Sequence, residues 1–322
     1  MLVTIIIPVF NAGDYLRQCL DSILVQTYTE IEIIMIDDGS TDQSGDLCDF
    51  YQSVDNRVMA IHQQNAGVSA ARNQGVAAGH GEYYTFVGAD DILRPEYIEE
   101  MISLAESERG DLVISGISFV YPNKVVSSRS SGSMRRIEQI DLVNGFFTDS
   151  DLKLVLYGPY NKLFRYSIFS NVRFDHNIKL GEDLLYVFEC LLKCDSAIYL
   201  EKPLYSYFKR DSSVTGEAFN TKKKDYVIAS GKIKNLCIQY SIAEPNAEIW
   251  YYICVLNYYR QLCGYPEVKA QQEEFSEACA TYLREKKSTV WKFLPTKSKM
   301  NYVLIRTFPF VIRIAVKLGK EV

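Results

Sequence analysis

Phe86-Val87-Gly88-Ala89-Asp90-Asp91 runs an apolar strand straight into two adjacent carboxylates. An apolar run that stops at polar residues describes a buried strand, and open α/β sheets place their ligands at strand carboxyl ends. Gly88 and Ala89 leave the backbone room there. Two neighbouring carboxylates repel each other unless a cation stands between or beside them. A hard divalent ion takes oxygen ligands and shares them with a diphosphate. The pair therefore points to a cation held at a sheet edge.

Working outward, the first hundred residues alternate strand-like and helix-like stretches. Residues 4–10 are a β-branched run ending at Asn11, and Leu16, Leu20, Ile23 and Leu24 then recur at helical spacing. Residues 31–36 form a second apolar run, closed by the turn chemistry of Asp37-Asp38-Gly39-Ser40. Residues 57–61 read as a weaker strand, 69–78 as a small Ala-rich helix able to pack closely on a sheet, and 82–87 as the strand before the Asp pair. A helix over 96–106, with Pro95 at its start, and a strand over 111–117 follow. Such alternation predicts a doubly wound, mostly parallel α/β sheet. Beyond about residue 120 the pattern loosens. Residues 125–136 read as a Ser- and Arg-rich loop, 138–147 and 184–193 as helices, and 197–207 as a strand. Aromatic-rich helical sequence dominates 222–283, which suggests domains over 1–215 and 216–322.

Bulk properties narrow the class. Apolar residues make up 48% of the 322, ample for a buried core. The start Met1-Leu2-Val3-Thr4-Ile5-Ile6-Ile7-Pro8 lacks a basic region and a small-residue cleavage site, so it reads as a first strand. Eight cysteines are scattered without a CxxC pair, which together with that start predicts the reducing cytoplasm. Residues 284–322 hold ten Lys/Arg against two Glu, a net +8 in a chain of net −5, leaving −13 for the rest. A basic end that mixes Val303, Phe308, Phe310, Val311, Ile312 and Ile314 with Arg306, Arg313, Lys317 and Lys320 suits an anionic membrane surface, on the inner face of the cell membrane, or else a helix packed on the protein. Pro309 breaks or kinks it. No GxGxxG follows the first strand and no P-loop is present, which removes support for dinucleotide redox and ATP-driven chemistry. No nucleic-acid partner is expected.

Four more segments carry chemistry. Pro8-Val9-Phe10-Asn11 and Asp37-Asp38-Gly39-Ser40 end the first two strands; Asn65-Ala66-Gly67-Val68-Ser69-Ala70-Ala71-Arg72-Asn73-Gln74-Gly75 opens a helix; Gly181-Glu182-Asp183 precedes another. As a set with the Asp pair they resemble the family 2 glycosyltransferases, inverting enzymes with the GT-A fold, over roughly residues 1–215. The resemblance implies a Rossmann-like nucleotide-binding half followed by a helical C-terminal region. It implies transfer of a sugar from a UDP-sugar to a hydroxyl of a glycan or polyprenyl-linked acceptor, in bacterial capsule, exopolysaccharide or O-antigen synthesis. Pro8, Val9 and Asn11 would line the nucleotide pocket, Asp38 would bond the uracil, and Arg72 would lie near uracil or diphosphate. Asp90 and Asp91 fall in the position that binds Mn²⁺ or Mg²⁺, with Asp90 also near the ribose, and Asp183 would be the catalytic base with Glu182 as its rival. Lys162, in Tyr157-Gly158-Pro159-Tyr160-Asn161-Lys162-Leu163-Phe164, falls on the acceptor side, and Arg210, in Tyr205-Ser206-Tyr207-Phe208-Lys209-Arg210-Asp211-Ser212-Ser213-Val214-Thr215, in the segment that closes over donor. Many family members read Asp-Ser-Asp-Asp where this chain has Gly88-Ala89-Asp90-Asp91, so the first carboxylate is absent. That departure leaves open a second reading, a catalytically impaired nucleotide-sugar-binding module.

Overall fold

Val3, Ile5, Ile6 and Ile7 expose no surface, and neither do Ile33, Ile34, Met35 and Ile36. Strands buried on both faces need helices on both sides, and that requirement organises the chain. The computed structural model describes residues 1–209, 219–307 and 309–317. Two compact units result, one of Met1–Asn177 with Glu182–Ser213, the other of Ile178–Gly181 with Val214–Val322.

In the first unit β1 (Val3–Val9), β2 (Ile31–Asp37), β3 (Val58–His62) and β4 (Tyr83–Phe86) lie parallel in the order β3-β2-β1-β4. The sheet continues through β9 (Lys162–Arg165), β6 (Leu112–Tyr121) and β10 (Ser196–Phe208) to β5 (Ile92–Leu93). β9 is antiparallel to both β4 and β6, whereas β6 and β10 run parallel. β1 is followed in sequence by strands on one side and flanked by β4 on the other, so the β1/β4 boundary is a topological switch point. Pro8–Asn11 and Gly88–Asp91 both leave the sheet there.

Helices α1 (Asp14–Leu24), α2 (Ser44–Val54), α3 (Val68–Ala78) and α4 (Tyr97–Ser107) link the early strands. α1 buries Leu16, Cys19, Leu20 and Ile23, the one-face spacing of an amphipathic helix. α3 approaches β1 closely because Gly75 has no Cβ: one built there would stand 2.2 Å from Ile6 Cγ2. Later come α5 (Gln139–Thr148), α6 (Ser150–Leu156), the short α7 (Tyr166–Phe169) and α8 (Glu182–Leu191). Two expectations need correction. The presumed loop over 125–136 contains β7 (Lys124–Ser127) and part of β8 (Met134–Glu138), which pair with β6 and β10. β7 is exposed at all four residues and β8 buries only Ile137, so no alternation marked them. α2 was also not anticipated, since Leu47, Cys48 and Tyr51 are a narrow stripe among polar residues.

The second unit is helical: α9 (Lys224–Gln239), α10 (Glu244–Gly264), α11 (Pro266–Gln271), α12 (Glu273–Val290), α13 (Thr296–Thr307) and α14 (Pro309–Lys317). Tyr252, Leu256, Leu262, Leu283 and Ile312 are buried together in its own core.

The α3–β1 contact gives a direct test. Gly75→Ala gains about 1 kcal/mol of helix propensity but forces a methyl into Ile6. Overpacking costs about 1–3 kcal/mol, and with the clash this close the variant is expected to unfold at lower urea than wild type. A midpoint at or above wild type would show that α3 has room to move.

Candidate active site

A relay of polar groups ties the ends of β1 and β2 together. Asp37 accepts from the Ser40 amide at 3.0 Å, the Ser40 hydroxyl accepts from the Asn11 amide at 3.1 Å, and the Asn11 side-chain oxygen accepts from the Thr41 amide at 2.8 Å. Ser44 Oγ accepts from the Ala12 and Gly13 amides at 2.9 and 3.0 Å. Asn11 takes a φ of 47°, a left-handed value that Asn tolerates better than most residues. Pro8, Val9 and Asn11 are thereby fixed at the switch point. Burial works against ionisation of Asp37, but bonds from Ser40 and His62 outweigh it and hold the carboxyl below its usual range. Asp38 is 3% exposed and accepts from Gln63 Nε2 at 2.6 Å and from the Ala66 and Gly67 amides, both at 2.8 Å. A carboxylate has about four acceptor positions, so about one is left for a ligand.

The Asp pair divides into unlike members. Asp91 is 1% exposed, while Asp90 is half-buried. Tyr205 donates its hydroxyl to Asp91 Oδ2 at 2.5 Å, and the Phe208 amide donates to Oδ1 at 3.1 Å. The same Tyr205 oxygen accepts the Gly88 amide at 3.0 Å. The Asp91 amide donates to the Gly88 carbonyl at 3.0 Å, which folds Asp91 back over that glycine. A Cβ at Gly88 would stand 2.5 Å from Asp91 Oδ2 and 3.2 Å from Asp90 Oδ1. Gly88 is therefore the residue that lets Asp91 be buried. Of the two carboxylates, Asp91 is the one turned toward the protein, held by Tyr205 and Phe208.

Glu182 and Asp183 open α8. Arg72 Nη1 lies 3.2 Å from Glu182 Oε1, with both side chains about nine-tenths buried at 12% exposure, and its guanidinium sits 5.0 Å from the Phe174 ring centroid. Asn73 holds the Phe174 backbone by two bonds, both 2.9 Å, and Phe174 stacks on Tyr186 at 3.8 Å. The Arg-Asn pair of α3 thus positions the chain that leads into Asp183. Arg72 meets Glu182, a partner that the sequence did not suggest. Burial, and next the charge of Glu182, raise the Asp183 carboxyl to about 6, against the opposing pull of Arg72. The half-buried Tyr207 reports on both carboxylate groups at once. Burial first, then the charges of Asp91, Asp90 and Asp183, lift its hydroxyl to about 12. Tyr160, 5.1 Å from Tyr207 between ring centroids, is raised well above its usual value by burial and then by Asp183.

Lys162 departs from its expected place. It begins β9 without exposed surface, and its ammonium donates to the carbonyls of Val155, Gly158 at 2.6 Å and Tyr160 at 3.3 Å. Burial pushes it down to about 7. It braces residues 155–161 and offers no charge to an acceptor. Arg210 lies outside the described residues. Tyr160, Tyr205 and Tyr207 escaped the sequence reading. Their only signal was the Tyr205-x-Tyr207 alternation, which puts both rings on one face of β10.

Residues 4–173 match the model of a family described as Glycosyl transferase family 2. The chain is 35% identical over 218 residues to glycosyltransferase GlyA of Streptococcus pneumoniae, covering 66% of this chain and 31% of that protein. It is 29% identical over 291 residues to glycosyltransferase GlyG of the same organism, covering 86% of this chain and 94% of that one. Among solved structures, S. aureus TarS 1–349 in complex with UDP-GlcNAc superposes with a TM-score of 0.70 at 16% identity, over 99% of this chain and 93% of that one, a likeness of fold.

Restoring the missing carboxylate should harm the protein. Gly88→Asp drives a Cβ against the buried Asp91 and adds a third negative charge. Overpacking of this kind costs about 1–3 kcal/mol, read as a lower urea midpoint, and Gly88→Ala shows the steric part alone. An equal or higher midpoint for Gly88→Asp would refute the account of Gly88.

Proposed function

The chain belongs to glycosyl transferase family 2 with a GT-A-type fold, and we propose that it moves a hexose or N-acetylhexosamine from a UDP-sugar to a hydroxyl of a glycan or lipid-linked glycan, with inversion, in bacterial surface-polysaccharide synthesis. One observation carries the assignment of the site. The charges of Asp91, Asp90 and Asp183 all bear on the Tyr207 hydroxyl, whose ring lies 5.1 Å from that of Tyr160, so carboxylates from two segments distant in sequence face one region, which this reading takes as the meeting place of donor and attacking hydroxyl. A UDP-sugar donor is supported by the TarS neighbour, which binds UDP-GlcNAc.

In this reading Asp183 takes the proton of the acceptor hydroxyl as its oxygen bonds the anomeric carbon. The bond from that carbon to the diphosphate oxygen breaks, its electron pair leaves with UDP, and no covalent enzyme intermediate forms. A carboxyl raised to about 6 is ionised at neutral pH yet a better proton acceptor than an ordinary Asp. Arg72 and Glu182 hold α8 so that Asp183 keeps its position. Pro8, Val9 and Asn11 line the nucleotide pocket, and the remaining acceptor position of Asp38 takes the uracil N–H. The donor set fits a hard divalent cation in part, because Asp90 is a partly accessible carboxylate while Asp91 is engaged by Tyr205 and Phe208. Asp90 would hold Mn²⁺ or Mg²⁺, and the ion would offset the charge of the departing diphosphate. Gly88 makes room for Asp91, and the competing reading, a catalytically impaired nucleotide-sugar-binding module, predicts UDP binding without turnover.

Donor hydrolysis across UDP- and GDP-sugars with Mn²⁺ tests the whole reading. Turnover of one UDP-sugar should fall by roughly 10²- to 10⁴-fold in Asp183→Asn, with the thermal shift caused by UDP retained. Unchanged turnover in that variant would exclude Asp183 as the base.

The pH profile follows from the same carboxyl. The rate should rise through about pH 6 as Asp183 loses its proton, then level off. Glu182→Gln removes a charge that raises Asp183 and releases Arg72 to act on it, so the rising limb should move to lower pH. A limb that stays put would mean another group controls the rate.

Asp90 and Asp91 separate by readout. Asp90→Asn should abolish the extra thermal shift that Mn²⁺ adds to UDP while leaving the unliganded melting temperature near wild type. Asp91→Asn should lower the unliganded melting temperature, since it weakens the acceptor of two buried donors, a change worth about 1–3 kcal/mol. The reverse pattern would exchange their roles.

A further inference from the structure

None of the site residues named above comes from the basic C-terminal segment, and its helices present an unusual surface. α14 is anchored in the second unit by one face: Ile312 exposes no surface, Ala315 exposes 8%, and Val316 packs on Gly264 of α10 so tightly that a Cβ there would sit 2.5 Å away. A helix anchored in this way normally turns a polar face to water. The outward face of α14 instead carries Phe310, Val311 and Ile314, exposed by 70%, 45% and 44%, beside an exposed Arg313. Positions 310, 311 and 314 fall within one third of the helix circumference, so the three side chains form one patch. α13 adds exposed Met300 and Val303 together with exposed Lys297 and Arg306. Packing thus uses one apolar face and leaves another.

We propose that the exposed face of α14 docks on an anionic lipid surface, with Phe310, Val311 and Ile314 entering the interfacial layer and Lys and Arg of the basic segment, Arg313 and Lys297 among them, meeting headgroup phosphates. Charge selects this occupant. Residues 284–322 carry ten basic side chains and two acidic ones, so two copies brought face to face would oppose like charge, whereas anionic lipid complements it. The apolar trio gains nothing from a purely polar polyanion but is buried at the headgroup boundary. Among the described residues no helix is long and apolar enough to cross a membrane, so the contact is with the surface.

Flotation of the full chain with phosphatidylcholine vesicles, with and without phosphatidylglycerol, tests the proposal. Binding should require phosphatidylglycerol and fall with added salt. The combined Phe310→Ser, Val311→Ser and Ile314→Ser variant, and separately Lys297→Gln with Arg313→Gln, should each bind roughly tenfold more weakly or worse. The triple variant should keep the wild-type melting temperature, because its altered side chains are exposed. Failure of the wild type to float with anionic vesicles, or equal flotation of the triple variant, would overturn the proposal. So would a lipid-independent dimer, seen by sedimentation, that the triple variant converts to monomer, since the face would then belong to a second copy.

Discussion

Burying the Asp91 carboxylate at the end of β4 is the constraint around which the first unit's working edge is arranged. A buried carboxylate without donors is costly, so β10 supplies two: the Tyr205 hydroxyl and the Phe208 amide. Those bonds fix where β10 ends relative to the Gly88 turn, and the Gly88 amide closes the loop on the same hydroxyl. Tyr160 stacks on Tyr205 at 5.8 Å and leans on Tyr207, which brings the segment before β9 into the arrangement. One buried acid thereby sets the mutual position of three chain segments far apart in sequence.

The other polar positions at this edge follow the same logic. The side chains of Asp37, Ser40, Asn11 and Ser44 accept from backbone amides of residues 11–13 and 40–41, and Asp38 gathers the amides that lead into α3. Residues that look like ligand groups in the sequence are here first of all loop-setting groups. The two roles are compatible, because a loop whose amides are already satisfied holds its remaining acceptors in fixed directions, and fixed polar groups cost no reorganisation when a ligand arrives.

Legibility in the sequence tracked burial. The fully buried strands β1 and β2 and the helices α1 and α3 announced themselves through apolar runs and regular spacing, and the five polar segments marked the edge where they meet. Strands that bury little, such as β7 and β8, gave no such pattern. Lys162 was misplaced because a lysine is almost never fully buried unless its ammonium is bonded; only the fold of 155–161 supplies the carbonyls that make it so. The tyrosines were missed for the opposite reason. Tyrosine abounds in this chain, and nothing local distinguishes Tyr205 from a core ring until a carboxylate is found at its hydroxyl. Adjacent Asp residues could be read as a site but not assigned separate tasks, since which of them turns inward depends on β10, more than a hundred residues later.

That division of labour answers the repulsion implicit in the pair. Two neighbouring carboxylates repel each other, more strongly where water is partly excluded. A cation relieves this only while it is bound. The structure provides relief that does not depend on ligand: Asp91 is given protein donors and Asp90 keeps access to solvent. At α8 Glu182 is given to Arg72, while Asp183, which accepts the Leu184 amide at 2.7 Å, is raised to about 6, by burial first. In both places the less exposed acid of the pair is held by a side chain from a distant segment, Asp91 by Tyr205 and Glu182 by Arg72. Which acid is held in this way follows from burial rather than from position in a motif.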